Sequence, residues 1–125
     1  MNLVDSSAWL EYFANGPNAA FFAPAIENSR ELIVPTIVLF EVYKRVRQQR
    51  TERAALEAVS ALHLGRIIAL TATLAITAAQ LSDSEKLPLA DSIILATARS
   101  ENAIVWTQDA DFRKMEGVKF RAKKT

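Results

Sequence analysis

The sequence predicts a three-layer α/β/α fold around a mostly parallel sheet of four or five strands. Short apolar runs alternate along the chain with longer segments of helical character, an order typical of parallel sheets covered by helices on both faces. The chain has 125 residues, of which 50% are hydrophobic, and this is enough for one compact domain with its own core. We therefore expect residues 1–125 to form a single domain.

The candidate strands are short segments rich in leucine, isoleucine and valine. Such residues favour a half-buried or buried pleated surface, and Pro35 closes the second segment because proline cannot continue a ladder of hydrogen bonds. The predicted strands are Leu3 to Asp5, Leu32 to Val34, Arg66 to Leu70, Ala103 to Trp106, and Val118 to Phe120 as a short fifth.

The segments between the strands carry helix signals at their ends. Ser6 or Ser7, Thr36 and Thr51 are candidate caps, because a hydroxyl can accept a hydrogen bond from the first helical turn. Gly65 suits a helix end and Pro88 suits a first turn. The predicted helices run from Ser6 or Ser7 to the Asn15-Gly16-Pro17 turn, from Asn18 to Asn28 with a kink or break at Pro24, from Thr36 to about Arg50, from Thr51 to Gly65, from Thr73 to Lys86, and from Pro88 to about Asn102.

The composition excludes several classes of site. The chain has no cysteine, which rules out disulfides, thiolate zinc sites and thiol nucleophiles and suits a reducing cytoplasm. A single histidine, His63, leaves no histidine cluster or catalytic triad. No apolar run reaches the roughly 18 to 20 residues that span a bilayer, and Asp5 interrupts any signal-peptide core. We expect a cytoplasmic protein that is neither exported nor bound to a membrane.

Four acidic residues lie where acids are uncommon, among apolar residues. Burying one ionised carboxylate costs several kcal/mol in practice, so four such positions indicate a shared partner, and a divalent cation is the natural one. The four segments are Asn2-Leu3-Val4-Asp5, Leu39-Phe40-Glu41-Val42, Leu87-Pro88-Leu89-Ala90-Asp91, and Trp106-Thr107-Gln108-Asp109-Ala110-Asp111-Phe112.

The sequence supports a role in a metal site more strongly for some of these acids than for others. Asp5 has a simple alternative role as a helix cap. Glu41 can instead pair with Lys44 and Arg45, three and four residues further along its helix. Asp91 is the strongest candidate, because its helical neighbours are apolar and the helix dipole contributes only about 0.3 to 1 kcal/mol against the cost of burial.

The loop after the fourth strand offers two further acids. Either Asp109 or Asp111 can cap the following short helix, and we favour Asp109 for the site because it lies nearer the strand end. Ligands of open parallel sheets bind beyond the carboxyl ends of the strands. The topology therefore brings Asp5 and Asp109 to the same edge of the sheet.

With these positions, the chain resembles a PIN-domain ribonuclease, and specifically the VapC toxins of type II toxin–antitoxin modules. The resemblance covers the whole chain in length, element order and acid placement. It implies that Asp5 and Asp91 hold metal most directly and that Glu41 and Asp109 complete the catalytic set. It also implies supporting hydroxyls at Ser7 and Thr107, with Asp111 as a cap or a supporting residue.

The resemblance implies a Mg²⁺- or Mn²⁺-dependent endoribonuclease. Carboxylates bind these ions through hard oxygens, and metal-activated water leaves 5′-phosphate and 3′-hydroxyl ends. Lys44 and Arg45 lie one turn beyond Glu41 and are candidates to bind RNA phosphates. The resemblance further implies structured targets such as transfer-RNA or ribosomal-RNA loops, a cognate antitoxin protein and a homodimer.

Two other functions fit the predicted architecture. A receiver-type phosphoacceptor domain has similar topology, but the segment Arg66 to Leu70 ends without an aspartate to phosphorylate. A PIN-like scaffold that binds RNA or a protein without cleaving is the second, and the presence of all four acids argues against it.

Overall fold

A computed structural model describes residues 1–124 and has the predicted three-layer arrangement. Within these residues the sheet has five strands in the order β3-β2-β1-β4-β5, and every neighbouring pair is parallel. The fold prediction is confirmed, with a sheet that is parallel throughout. The strands are β1 (Asn2–Val4), β2 (Leu32–Pro35), β3 (Arg66–Ile68), β4 (Ile104–Thr107) and β5 (Val118–Phe120).

Six α-helices connect these strands in the described part of the chain. They are α1 (Ser6–Phe13), α2 (Ala19–Glu27), α3 (Thr36–Gln49), α4 (Glu52–Leu62), α5 (Ala72–Glu85) and α6 (Leu89–Ser100). Two single 3₁₀ turns cover Ser29–Glu31 and Ala110–Phe112. Pro24 lies inside α2 and does not divide it.

Two of the predicted caps are wrong, each because a different group satisfies the helix end. The cap of α1 is Asp5, whose Oδ1 accepts from the Ala8 N–H at 3.1 Å, so neither Ser6 nor Ser7 has this role. The hydroxyl of Thr36 accepts instead from the Leu70 N–H at 3.3 Å, and α3 follows Pro35 without a side-chain cap.

Other boundaries differ by a few residues. Thr51 caps α4 as predicted, by accepting from the Ala54 N–H. The helix ends at Leu62 and not at Gly65, whereas α5 begins at Ala72 after a cap at Thr71. Asp5, predicted as the last residue of the first strand, lies just after β1 as the cap of α1. Glu41, Asp91 and Asp109 stay in or beside the elements predicted for them.

The core lies between the sheet and the helices and fixes the elements that carry the acids. Trp9 of α1, Phe22 of α2 and Phe112 of the second 3₁₀ turn are its largest fully buried side chains. In α6 every residue from 92 to 98 is buried, so this helix is enclosed on all sides as the sequence indicated. Asp91 occupies its first turn, at the edge of that enclosed segment.

No helix in residues 1–124 is both long enough and apolar enough to cross a membrane.

Candidate metal centre

The carboxyl ends of β1 and β4 meet at one edge of the sheet. The two strands are neighbours, with Val4 opposite Trp106, and the Asp5 N–H continues the pairing by donating to the Trp106 carbonyl at 3.1 Å. Asp5 therefore follows β1 at the point where Thr107 ends β4. This is the convergence that the topology predicted.

The carboxylate of Asp5 is a buried acceptor, with 3% of the residue exposed. Its Oδ1 accepts from the Ser7 hydroxyl at 2.7 Å and from the Ala8 N–H at 3.1 Å. Its Oδ2 accepts from the Thr107 hydroxyl at 2.5 Å. Asp5 thus joins the start of α1 to the end of β4.

The hydroxyls of Ser7 and Thr107 have the same pattern of bonds. Ser7 Oγ accepts from the Gln108 N–H at 3.3 Å, and Thr107 Oγ1 accepts from the Asp109 N–H at 2.8 Å. Because a backbone N–H can only donate, each hydroxyl must direct its own hydrogen to Asp5. Two consecutive amides of the loop after β4 are in this way tied to one carboxylate.

Three carboxylates converge beside this loop. Oxygens of Asp91, Asp109 and Asp111 all lie within 4.8 Å of one another. Asp91 comes from the first turn of α6, while Asp109 caps the following 3₁₀ turn by accepting from the Asp111 N–H at 2.9 Å. Asp111, expected to cap or support, contributes its carboxylate to the group.

Glu41 reaches the site from α3. Its Oε1 accepts from the Ser6 hydroxyl at 3.0 Å, and the residue is half-buried. Burial raises the pKa of Glu41, and the charge of Asp109 raises it further. The structure thus places Glu41 within the field of the other acids but outside the group of three oxygens.

The environment raises the pKa of both Asp5 and Asp91. For Asp91 the pKa is about 8 instead of 3.8, first because of burial and then because of the charge and hydrogen bonding of Asp109, with smaller contributions from Asp111 and Asp5. For Asp5 the pKa is about 6, because burial outweighs its three hydrogen bonds and Asp109 again repels it. Asp109 therefore repels Asp5, Glu41 and Asp91, so the four acids form one electrostatic cluster.

This set of donors suits a divalent cation. All the donor atoms are carboxylate oxygens, which are the ligands that Mg²⁺ and Mn²⁺ prefer. Asp91 and Asp109 are also hydrogen-bonded to each other, and two carboxylates in such contact need a proton or a cation between them. A bound cation would offset the repulsion by Asp109, which adds to burial in raising the pKa of Asp5 and of Asp91.

Three polar residues around the site were not singled out from the sequence. Ser6 holds Glu41, and its place beside Ser7 in the Asp-Ser-Ser segment was the available signal. The buried amides of Asn18 and Gln108 are joined by a bond of 2.7 Å, and Gln108 also donates to the Ser7 carbonyl at 3.4 Å. This amide pair had no local signal, because 90 residues separate its members.

The predicted RNA-binding residues lie on the exposed side of α3. Lys44 and Arg45 are both exposed, and neither forms an ion pair within residues 1–124. The Nζ of Lys44 lies 5.6 Å from the ring centroid of Phe40. A cavity of about 390 Å³ contains both cations together with Glu41 and Ser6 in its lining.

The sequence matches the model of the PIN domain family over residues 3–118. The chain belongs to the PIN domain family. Among curated proteins, none matches this sequence.

Solved structures of similar fold include toxins. A toxin–antitoxin complex from Klebsiella pneumoniae contains a chain that is 26% identical, with a TM-score of 0.80 and coverage of 95% of this PIN domain and 96% of that chain. VapC20 of Mycobacterium tuberculosis, a toxin that cleaves the sarcin–ricin loop, is 18% identical with a TM-score of 0.78, covering 93% and 95%. A VapBC2 complex of Rickettsia felis bound to promoter DNA is 16% identical with a TM-score of 0.73, covering 97% of each chain. The predicted resemblance to VapC toxins is confirmed in the fold.

The raised pKa values predict an unusual dependence of stability on pH. Because the folded PIN domain without metal holds protons on Asp91 and Asp5 that the unfolded chain has lost, its free energy of unfolding should fall as pH rises from about 4 to about 8. Asp91→Asn removes the main contributor and should raise the melting temperature at pH 8 by at least about 3 °C, the shift that roughly 1 kcal/mol produces in a domain of this size. Thermal unfolding in EDTA at several pH values measures it.

The matched control for this pH series is Asp83→Asn, the same change at an exposed acid on α5. It should leave the profile of the wild type unchanged. A wild-type stability that rises between pH 5 and pH 8, or an Asp91→Asn variant no more stable than the wild type at pH 8, would contradict the repulsion.

A second prediction concerns the hydroxyl of Thr107. Thr107→Val keeps the side-chain shape but leaves the Asp109 N–H without its acceptor and Asp5 without one donor, at a fully buried residue. The free energy of unfolding should fall by about 1 to 3 kcal/mol, the usual cost of an unsatisfied buried group. Thr107→Ser keeps the hydroxyl and should retain most of the stability. Equal denaturant midpoints for the two variants would show that these bonds do not hold the loop.

Proposed function

We propose that this PIN domain is a Mg²⁺- or Mn²⁺-dependent endoribonuclease that acts as the toxin of a toxin–antitoxin module. The observation that carries the proposal is the acidic cluster at the carboxyl edge of the parallel sheet, in which three carboxylate oxygens lie within 4.8 Å of one another. Clustered hard oxygen donors suit metal-dependent phosphodiester hydrolysis, and the raised pKa of Asp91 and of Asp5 supports a functional role for this edge of the sheet.

In this proposal Asp5, Glu41, Asp91 and Asp109 are the catalytic, metal-holding residues. Ser7 and Thr107 keep Asp5 oriented, while Asp111 adds a third carboxylate to the group formed by Asp91 and Asp109. When bound, the cation supplies Lewis acidity that lowers the pKa of water and stabilises negative charge on the leaving oxygen.

The protein's own groups determine the products. Attack by water on phosphorus does not need the 2′-hydroxyl of the RNA. The single histidine, His63, is not part of the carboxylate group, and its Nδ1 is bonded to the Val59 carbonyl of its own helix. The expected products are therefore a 5′-phosphate and a 3′-hydroxyl. Glu41, with its raised pKa and its bond from Ser6, can accept a proton from the attacking water.

Lys44 and Arg45 are proposed to bind RNA phosphates. Two other arginines of the same basic run are occupied, since Arg47 pairs with Glu52 and Arg53 with Glu57. Lys44 and Arg45 have no such partner within the described residues and lie beside Glu41 in one cavity. Their charges are consequently available to a polyanion.

The proposed partners follow from the similarity in fold to the solved toxin structures. The Klebsiella chain of similar fold belongs to a toxin–antitoxin complex, and VapC20 cleaves the sarcin–ricin loop. We propose a cognate antitoxin protein, a structured transfer-RNA or ribosomal-RNA loop as substrate, a single domain and a cytoplasmic location. Exposed apolar side chains at Phe40, Ile76 and Leu89 on α3, α5 and α6 support a homodimer.

Digestion of RNA tests the enzymatic proposal. The wild type should cleave total RNA in Mg²⁺ or Mn²⁺, EDTA should abolish cleavage, and Asp5→Asn should be inactive. Asparagine keeps the cap of α1 but can accept only one of the two hydroxyl bonds that Asp5 accepts. The melting temperature of this variant is therefore measured alongside, and Asp91→Asn is assayed as a second variant expected to be inactive. A 5′-phosphate-dependent exonuclease should degrade the fragments. Asp83→Asn serves as the active control.

Cleavage that persists in EDTA, or in Asp5→Asn, would contradict a metal-dependent site. Absence of cleavage by the wild type together with tight RNA binding would favour the non-cleaving scaffold.

Expression in a bacterial host tests the role as a toxin. Induction of the wild type should arrest growth, because cleavage of RNA without an antitoxin is unregulated, whereas Asp91→Asn should not. Both variants are compared at equal protein level, determined by immunoblot. Equal arrest by the two would show that growth inhibition does not depend on the acidic cluster.

A further inference from the structure

A polar cavity of about 430 Å³ adjoins the acidic cluster on the side of α1, and we call it the tail pocket. It lies between α1, α3 and the segment that follows β5. Its lining residues are Ser6, Ser7, Leu10, Glu11, Arg45, Gln49, Gln108 and Lys123. The volume falls within the range of cavities that bind small ligands, about 300 to 1,000 Å³.

The tail pocket shares a wall with the acidic cluster. Ser6 and Ser7 line the pocket, and their hydroxyls are bonded to Glu41 at 3.0 Å and to Asp5 at 2.7 Å. One serine side chain therefore connects the pocket to each of these two carboxylates.

The segment after β5 is held in place and delivers Lys123 to the pocket. The Arg121 N–H donates to the Thr107 carbonyl at 3.1 Å, which extends the pairing of β5 with β4. The Asn18 amide then donates both to the Ala122 carbonyl at 2.9 Å and to Gln108 Oε1 at 2.7 Å. Lys123 follows this anchor and lies beyond residue 118, where the match to the family ends.

The charges of the tail pocket favour an anion. Arg45 and Lys123 both line it, and neither forms an ion pair in the part of the chain that the structure describes. Its one acid, Glu11, accepts from the Asn18 N–H at 2.7 Å through Oε2 and keeps its negative charge. The two cations therefore leave the lining with a formal excess of one positive charge.

The tail pocket also continues into the cavity around Lys44. The two cavities share Ser6, Leu10 and Arg45 in their linings. Together they form a groove that carries cations along its length, from Lys44 through Arg45 to Lys123, and passes Glu41. A polyanion with regularly spaced charges matches this arrangement better than a single small anion.

We propose that the tail pocket binds the RNA nucleotide next to the scissile phosphate, with Lys123 and Arg45 contacting its phosphate. The inference rests on the proposed ribonuclease function and adds to it a binding residue outside the matched family segment. Lys123 does not touch the reacting atoms, so its role is substrate binding.

Replacement of Lys123 tests this assignment, with Lys124 as the matched control. Both are exposed lysines of the same segment, but only Lys123 lines the pocket. The probe is a short fluorescein-labelled single-stranded RNA of mixed sequence, with binding followed by anisotropy in EDTA across a series of KCl concentrations. Lys123→Ala should raise Kd roughly 5- to 10-fold at low salt and flatten the slope of log K against log salt by about 0.7, the value for one phosphate contact.

Lys124→Ala should change neither quantity, and Lys123→Arg should restore binding. With the same RNA and Mn²⁺, Lys123→Ala should raise KM by a similar factor and leave kcat within about twofold, as expected for binding energy that is equal in ground and transition states. Equal melting temperatures of the two alanine variants would exclude a difference in folding.

The outcomes separate this inference from the proposed function. If the wild type binds and cleaves RNA but Lys123→Ala behaves as Lys124→Ala does, the tail pocket is not an RNA site and the ribonuclease proposal stands. If Lys123→Ala lowers kcat and not KM, the binding role is wrong. If the wild type neither binds nor cleaves RNA, both proposals fail.

Discussion

The hydrogen bonds to the Asp5 carboxylate join the start of α1 to the end of β4 and the loop that carries Asp109. One oxygen caps α1 and accepts from Ser7, and the other accepts from Thr107 at the end of β4. Through these two hydroxyls the carboxylate also fixes the amides of Gln108 and Asp109. The position of Asp109, and with it the convergence with Asp91, depends on a single buried acid.

In this arrangement the hydrogen bonds favour the charged form of the acids, whereas burial and charge repulsion disfavour it. Hydrogen bonds to a charged group contribute about 1.5 to 3 kcal/mol each, yet the pKa of Asp5 is still raised, to about 6, because its burial is nearly complete. Asp91 has fewer hydrogen bonds that favour its charged form and is repelled more strongly by the neighbouring acids, so its pKa is higher than that of Asp5. The fold therefore holds acids together at a cost to its own stability, as sites preorganised for a cation do.

The sequence predicted the parts of the site that depend on topology and on local composition. Alternating strands and helices placed Asp5 and Asp109 at one edge, and the apolar neighbours of Asp91 marked it as an unusual acid. The caps were harder, because Asp5 and Ser7 both suit a helix start and the sequence does not show which of them the first turn bonds to. Local patterns do not distinguish a residue that caps a helix from one that also belongs to a site.

Long-range contacts account for what the sequence left undetected. The bond between Asn18 and Gln108 spans 90 residues and that between Asn18 and Ala122 spans 104, so no periodicity reports them. Lys123 belongs to a basic run that by itself indicates a solvated surface. Its place beside Ser6, Ser7 and Arg45 follows from the bonds that Thr107 and Asn18 form with the segment after β5.

Calorimetric titration with Mn²⁺ tests most directly whether the acids share one cation. The protein is titrated at pH 7 in two buffers of different ionisation enthalpy, so that proton release can be measured. The account predicts that the wild type binds Mn²⁺ and releases protons as it does so, because ligand carboxylates must be deprotonated, and that Asp91→Asn loses most of the binding and of the proton release. Absence of Mn²⁺ binding by the wild type, or unchanged binding by Asp91→Asn, would contradict it.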